Sequence, residues 1–262
     1  GTSSLTNLDV SNWDVSSVKD MSNMFSGTSS LTNLDVSNWD VSSVTNMSGM
    51  FAVTYALTEL DVSKWDVSSV TNMSSMFTFA ESLTELDVSK WDVSNVTDMR
   101  FMFGGSSSIR PGESSLRNLD VSKWDVSSVT KMNGMFYEAS SLTELDISSF
   151  NMQNVEEMWG FFTGTKLEKL TLGNENKFSA DAGLGFPYLS TGTPAEKWIR
   201  INGTNAVSPT ELMNNYGNGD LIAGTYIAEK EQLSISHFDT ISVSIGDEIS
   251  TTFNLDLNLY TT

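Results

Sequence analysis

Carboxylates recur through the first two thirds of this chain at a fixed spacing. One column runs Asp9, Asp35, Asp61, Asp87, Asp120 and Asp146. Two residues upstream, a second column runs Asn7, Asn33, Glu59, Glu85, Asn118 and Glu144. A third, Asp14, Asp40, Asp66, Asp92 and Asp125, follows a repeated Trp. Paired carboxylates could cleave a glycosidic bond, and clustered acidic oxygens could take calcium. A catalytic pair is a unique break in a pattern, whereas each of these carboxylates recurs. The expectation is therefore no enzyme and no cofactor. The spacing matches no known calcium loop, so structural calcium stands only as a minor alternative. For the Asp9 column two readings stand: a solvated polar face, or a ligand-binding surface made of Asp9, Asp35, Asp61, Asp87, Asp120 and Asp146 with Glu59, Glu85 and Glu144.

Composition removes other chemistries. There is no Cys, which excludes disulfides, thiolate metal sites and a cysteine nucleophile. His237 is the single His, so a His-dependent triad or a multi-histidine metal site is nearly excluded. The net charge of −19 argues against nucleic acid and against an anionic membrane surface. No apolar run approaches the length that spans a bilayer, so no membrane insertion is expected of these residues. The chain starts inside a repeat and reads as a piece of a longer protein.

The elements that carry the acidic columns are repeats. The unit LTNLDVSNWDVSSVKDMSNMFSGTSS returns with its leading Leu at Leu5, Leu31, Leu57, Leu83, Leu116 and Leu142. Trp follows at Trp13, Trp39, Trp65, Trp91 and Trp124, with Phe150 in the sixth copy. A Met-x-x-Met-Phe motif closes each of the first five units, as in Met21, Met24 and Phe25. Leu167, Leu170 and Leu172 read as a seventh strand with no following helix. Within each unit, Leu5, Leu8 and Val10 alternate with polar residues as a strand does. Val18, Met21, Met24 and Phe25 fall on one arc at helical spacing, with Ser16 or Ser17 as a cap and Gly27 as a stop. The sequence thus predicts an α/β repeat: a solenoid of one short strand and one short helix per coil, occupying residues 1–172. Stacking would bury the Leu, Val, Trp and Met columns. Exposed Trp rings that stack on sugars are the alternative for the Trp column.

The strand segment follows the leucine-rich-repeat pattern L-x-x-L-x-L. The whole unit, L-x-x-L-D-V-S-x-W-D-V-S-x-V-x-x-M-x-x-M-F, resembles the BspA-like leucine-rich repeat surface proteins of Gram-positive bacteria and mycoplasmas. Members of that family often carry Cys shortly after the M-F pair; here Thr28, Thr54, Ala80 and Ala139 stand there. Trp198 to Tyr226 also resembles the module that follows such repeats. The resemblance implies an extracellular, wall-attached protein of the bacterial cell surface that mediates adhesion. Its partner would be a host glycoprotein, mucin or extracellular matrix protein. A structural spacer that holds a distal binding domain off the cell wall is the alternative.

Residues 173–262 form a C-terminal cap and connector with a β tail. Ser208, Pro209 and Glu211 make a capping box for a short helix ending near Gly217. Trp198 to Ile201 and Leu221 to Ala228 read as strands around it, giving a small mixed α/β cap. Residues 229–262 read as strands around Gly246 and Asp247, either a tail or the opening of a further domain. One spacing is irregular: seven extra residues lie between Phe103 and Leu116. This insertion carries Arg110, the one cation placed with the candidate binding residues. It is either a tolerated surface loop or a specificity loop. Stacked Asp residues would sit about 5 Å apart, and such like charges should raise some Asp pKa values. Acid would then stabilise the fold and favour adhesion.

Overall fold

The computed structural model describes residues 3–105 and 115–229. The insertion from 106 to 114, with Arg110, and the segment from 230 to 262, with His237, lie outside the described residues. So does the expected β tail.

The repeats stack as coils, and main-chain hydrogen bonds tie each coil to the next. On the Leu-x-x-Leu side, single parallel bridges join Asn7 to Asn33, Asn33 to Glu59 and Glu85 to Asn118. Another line of bridges runs Asp20, Asn46, Asn72, Asp98, Lys131 and Glu157. Among the described residues, only the last coils lengthen into strands, β1 (Glu144–Asp146) and β2 (Lys169–Leu172), paired in parallel. The expected seventh strand is β2.

The helix expected over Val18 to Phe25 is absent, and its counterparts are absent from every described coil. The segment is a run of turns. Met24 N–H bonds to Met21 O at 3.2 Å, Ser26 to Asn23 O at 3.1 Å and Thr28 to Phe25 O at 3.2 Å. The intervening amides leave the coil: Met21 donates to Asn46 O, Asn23 to Ser48 O, Phe25 to Met50 O and Gly27 to Ala52 O, all within 2.8–2.9 Å. An α-helix would keep these amides for its own carbonyls. The backbone forbids it as well. Asn23, Gly49, Ser75, Phe101, Gly134 and Gly160 share one position and all have φ between 53° and 67°. Gly27, Val53, Phe79, Glu138 and Gly164 form a second such column. Left-handed residues four apart break a right-handed helix. Gly27 is therefore one of a column of turn residues, not a helix stop.

Side chains stack as the hydrogen bonds do. Trp39, Trp65, Trp91 and Trp124 are buried, with neighbouring rings 6.4–6.5 Å apart and 2–3° from parallel. Phe25, Phe51, Phe77, Phe103 and Phe136 stack at 5.7–5.8 Å beside them. Trp13, in the first coil, is 47% exposed. Each indole Nε1 in the following four coils donates to a Val carbonyl one coil below: Trp39 to Val10, Trp65 to Val36, Trp91 to Val62 and Trp124 to Val88. Trp is thus a core residue with its polar atom satisfied. Asn176 takes the column's next place after Phe150. Its Nδ2 bonds Ile147 O at 3.0 Å and Phe150 O at 2.9 Å, and its Oδ1 accepts from Gly173 N–H at 2.7 Å.

After Asn176 the chain turns back over the last coil. Strands β3 (Trp198–Arg200), β4 (Ala206–Val207) and β5 (Gly224–Ala228) and helix α1 (Pro209–Asn215) follow. The sheet order is β1-β2-β5-β3-β4, with β5 antiparallel to β2. Helix α1 has the expected capping box, with Ser208 and Glu211 bonded reciprocally and Pro209 in the first turn. Leu212 and Met213 sit buried, and the Tyr216 hydroxyl bonds Gly173 O at 3.0 Å.

Candidate functional site

The polar strand face begins as a set of local turns. Asp9 Oδ1 accepts from the Ser11 amide at 3.0 Å and the Ser11 hydroxyl at 2.7 Å. The same pair of hydrogen bonds recurs at Asp35 with Ser37, Asp61 with Ser63, Asp87 with Ser89 and Asp120 with Ser122. At Asp146, the Ser148 amide donates at 2.9 Å. The column after Trp does the same: Asp14 holds Ser16, Asp40 holds Ser42 and Asp66 holds Ser68. These carboxylates close Asx-type turns instead of capping helices.

Their ionisation reverses the sequence expectation. The Ser hydroxyl and then the Ser amide hold Asp9, Asp35, Asp61 and Asp120 below the usual carboxylate range. Asp14, Asp40, Asp66 and Asp125 are lowered in the same way. Repulsion between stacked carboxylates opposes the shift at Asp35, from Asp61 and Asp9, and is outweighed. Lys64 and Lys123 add smaller attractions at Asp61 and Asp120. Two donated hydrogen bonds at contact distance exceed a through-water repulsion of about 1 kcal/mol.

Four successive coils shape this face into a trough of about 670 Å³. Of the candidate residues, it gathers Glu85, Asp87, Asp120, Glu144 and Asp146. Asp9, Asp35, Asp61 and Glu59 continue the columns beyond its lining. Two cations also line the trough. Arg117 stands where Thr6, Thr32, Thr58, Thr84 and Thr143 stand in other coils. Its amide bonds Thr84 O at 3.0 Å and its side chain is exposed. Lys169 follows Glu144 in the second column and pairs with it at 2.7 Å. Asn118 Nδ2 donates to Glu85 Oε1 at 3.1 Å. Five carboxylates against two cations leave the trough acidic. In the sequence alone, Arg117 stands out only as a break in the Thr column, and Lys169 does not stand out. Carrying the repeat spacing one coil further, from Glu144 to Lys169, would have found it.

Among the described residues, no group of three or more His, Asp or Glu side chains could hold a metal ion. No helix there is long and apolar enough to cross a membrane.

The repeat coils coincide with a family match. Residues 1–115 and 112–176 match the profile of the family described as "Mycoplasma protein of unknown function, DUF285". The chain belongs to this family. The match ends at Asn176, the residue that closes the Trp column, so the family's matched extent is the coil stack itself. No curated protein and no solved structure matches the chain.

Proposed function

We propose that this member of the family is a non-catalytic surface protein of the BspA-like leucine-rich-repeat type. It acts as an adhesin outside a bacterial cell. The partner is a host glycoprotein, mucin or extracellular matrix protein, taken along the trough of coils four to seven. The trough carries this reading: it is the stretch of the strand face where Arg117 breaks the Thr column and Lys169 puts a cation into the Asn/Glu column. Its net negative charge favours basic or neutral polar segments of such a partner and disfavours sulfated or sialylated stretches. Binding in place of hydrolysis is supported by recurrence: Asp87, Asp120 and Asp146 repeat one column position from coil to coil, whereas a catalytic carboxylate pair is a unique constellation.

The spacer reading draws on a different observation. The Trp and Phe columns stack with nearly constant separation and tilt through successive coils, the regularity that a spacer needs. Binding of the chain to immobilised mucin and to a panel of matrix proteins separates the two. An adhesin binds at least one of them, and the combined Asp87→Asn, Asp120→Asn and Asp146→Asn variant binds it less. Asn preserves the turns, as Asn46 and Asn72 do at 3.1 and 2.9 Å in another column. No binding to any surface would leave the spacer.

A further inference from the structure

On the turn side of coils four to six, three aromatic residues replace the small residues of the other coils. The position held by Ser22, Ser48 and Ser74 becomes Arg100, Asn133 and then Trp159. The next position holds Phe101 where Asn23, Gly49, Ser75, Gly134 and Gly160 stand elsewhere. Tyr137 takes the place of Ser26, Ala52 and Thr78. These departures are coupled. A side chain at Gly134 would strike the Phe101 ring, so the missing Cβ lets that ring lie across the fifth coil. There it meets Trp159 edge-on at 5.4 Å and Tyr137 at 6.2 Å. Phe101 holds φ at 53°, a conformation that other coils give to Gly, Asn or Ser. Trp159 remains 48% exposed, whereas Trp39, Trp65, Trp91 and Trp124 are buried.

Beside the rings lies a polar network. Arg100 Nη2 meets Asp98 Oδ2 at 2.6 Å, and Lys131 Nζ lies 3.9 Å from Glu157. Asn133 donates to Glu157 at 2.7 Å and accepts from the Trp159 amide at 3.1 Å. Glu157 also acts on Arg100 through space. Two cations and two anions cancel, so the network presents many donors and acceptors with little net field. We propose that Trp159 and Phe101, bordered by Asp98, Arg100 and Glu157, form a stacking platform for a neutral glycan. A pyranose ring offers an apolar C–H face to the exposed indole and a rim of hydroxyls to charged, pre-positioned partners. An ionic ligand would gain little from a balanced rim, and an anionic one would meet the repulsion of the net charge of −19. The platform shares no residue with the trough and does not depend on its reading.

The test uses the whole chain on a glycan array containing neutral, sulfated and sialylated structures, with a hexa-arginine peptide as a separate probe. Hits are then titrated by calorimetry. Trp159→Ser and Phe101→Ser give these positions the residue that Ser74 and Ser75 already provide, so the melting temperature should hold. The expected result is binding to a neutral glycan that weakens roughly tenfold in Trp159→Ser and is unchanged in Asn38→Ser, a change at an exposed residue of the second coil outside both surfaces. The proposal is overturned by an absence of neutral hits, by unchanged affinity in a folded Trp159→Ser, or by binding confined to anionic glycans or the peptide. Loss in Arg117→Thr with retention in Trp159→Ser would move the site to the trough.

Discussion

The indole Nε1 of Trp65 donates a 3.0 Å hydrogen bond to the carbonyl of Val36, one coil below. The Trp39 amide donates to the same oxygen at 3.1 Å. One carbonyl thus fastens a turn within its own coil and the ring of the next. The stacking of the Trp column is therefore directional as well as hydrophobic, because each ring is held in plane by a bond to the coil beneath it.

Two substitutions at Trp65 separate these contributions. Trp65→Ala removes a buried ring and is expected to cost about 3 to 5 kcal/mol. Trp65→Phe keeps most of the stack and loses the Nε1 bond, with Val36 O still bonded to the Trp39 amide. Its expected cost is about 1 to 2 kcal/mol, in line with the tolerance of Phe150 at the same place. Urea unfolding measures both. Equal costs would show that the hydrogen bond, and not the packing, dominates.

Acid should weaken the fold. Asp9, Asp35, Asp61 and Asp120 titrate below their ordinary range when folded, because Ser donors stabilise the carboxylate. A depressed folded pKa contributes stability that is fully present above the unfolded value, near 4, and is lost as pH falls through the folded value. The melting temperature should accordingly be level near neutrality and drop from about pH 4 downward. A melting temperature that rises between pH 7 and about pH 4 would mean that repulsion along the column prevails over the Ser bonds.

The coil length, the core columns and the cap helix were all legible in residues. Leu31, Trp39 and Phe51 recur at fixed separations, and a buried column demands one residue type per coil. The turn-for-helix difference was not legible from the Met spacing, because Met21, Met24 and Phe25 face inward in either conformation. The cue lay between them: Asn23, Gly49 and Gly134 share a position, and Asn and Gly tolerate the left-handed region. The Asx turns were visible as well, since Asp9-x-Ser11, Asp14-x-Ser16 and Asp20-x-Ser22 repeat one i, i+2 pairing three times in a coil. Arg117 was visible as an interruption, but its place in a trough depends on the stacking of four coils. Trp159 was masked by its neighbours, for it follows Met158 in a degenerate copy of the Met-Phe motif.

The second left-handed column offers a stabilising change. Val53 holds φ at 63°, where Gly27 and Gly164 stand in other coils. A β-branched residue there is strained by about 1 to 3 kcal/mol, and Gly costs about 0.5 to 1 kcal/mol of unfolded-chain entropy. Val53→Gly should therefore raise stability by about 1 kcal/mol. The opposite change in the first left-handed column, Gly49→Val, should lower it by more, since a Cβ at Gly49 would strike Asn23. Chemical denaturation of the two variants gives the signs. Destabilisation by Val53→Gly would show that its side-chain contacts outweigh the backbone strain.

Asn176 closes the stack and should be its most sensitive polar residue. Its buried side chain serves three main-chain groups, accepting from Gly173 N–H and donating to Ile147 O and Phe150 O. Gly173 lies close against the Ser148 backbone, which any added Cβ would strike, and its own carbonyl holds the Tyr216 hydroxyl of the cap. Asn176→Leu matches the volume roughly but strands the Gly173 amide and removes one bond from each of the two carbonyls. The expected loss is about 3 kcal/mol, more than for Trp65→Phe, where every main-chain group keeps a partner. The damage should also be local. Amide exchange should quicken first at Gly173 and across β2 and β5, which the cap holds together, while Met47 and Met73 in the central coils stay protected. A loss below about 1 kcal/mol, or faster exchange spread evenly along the coils, would show that the cap closes the stack without this residue.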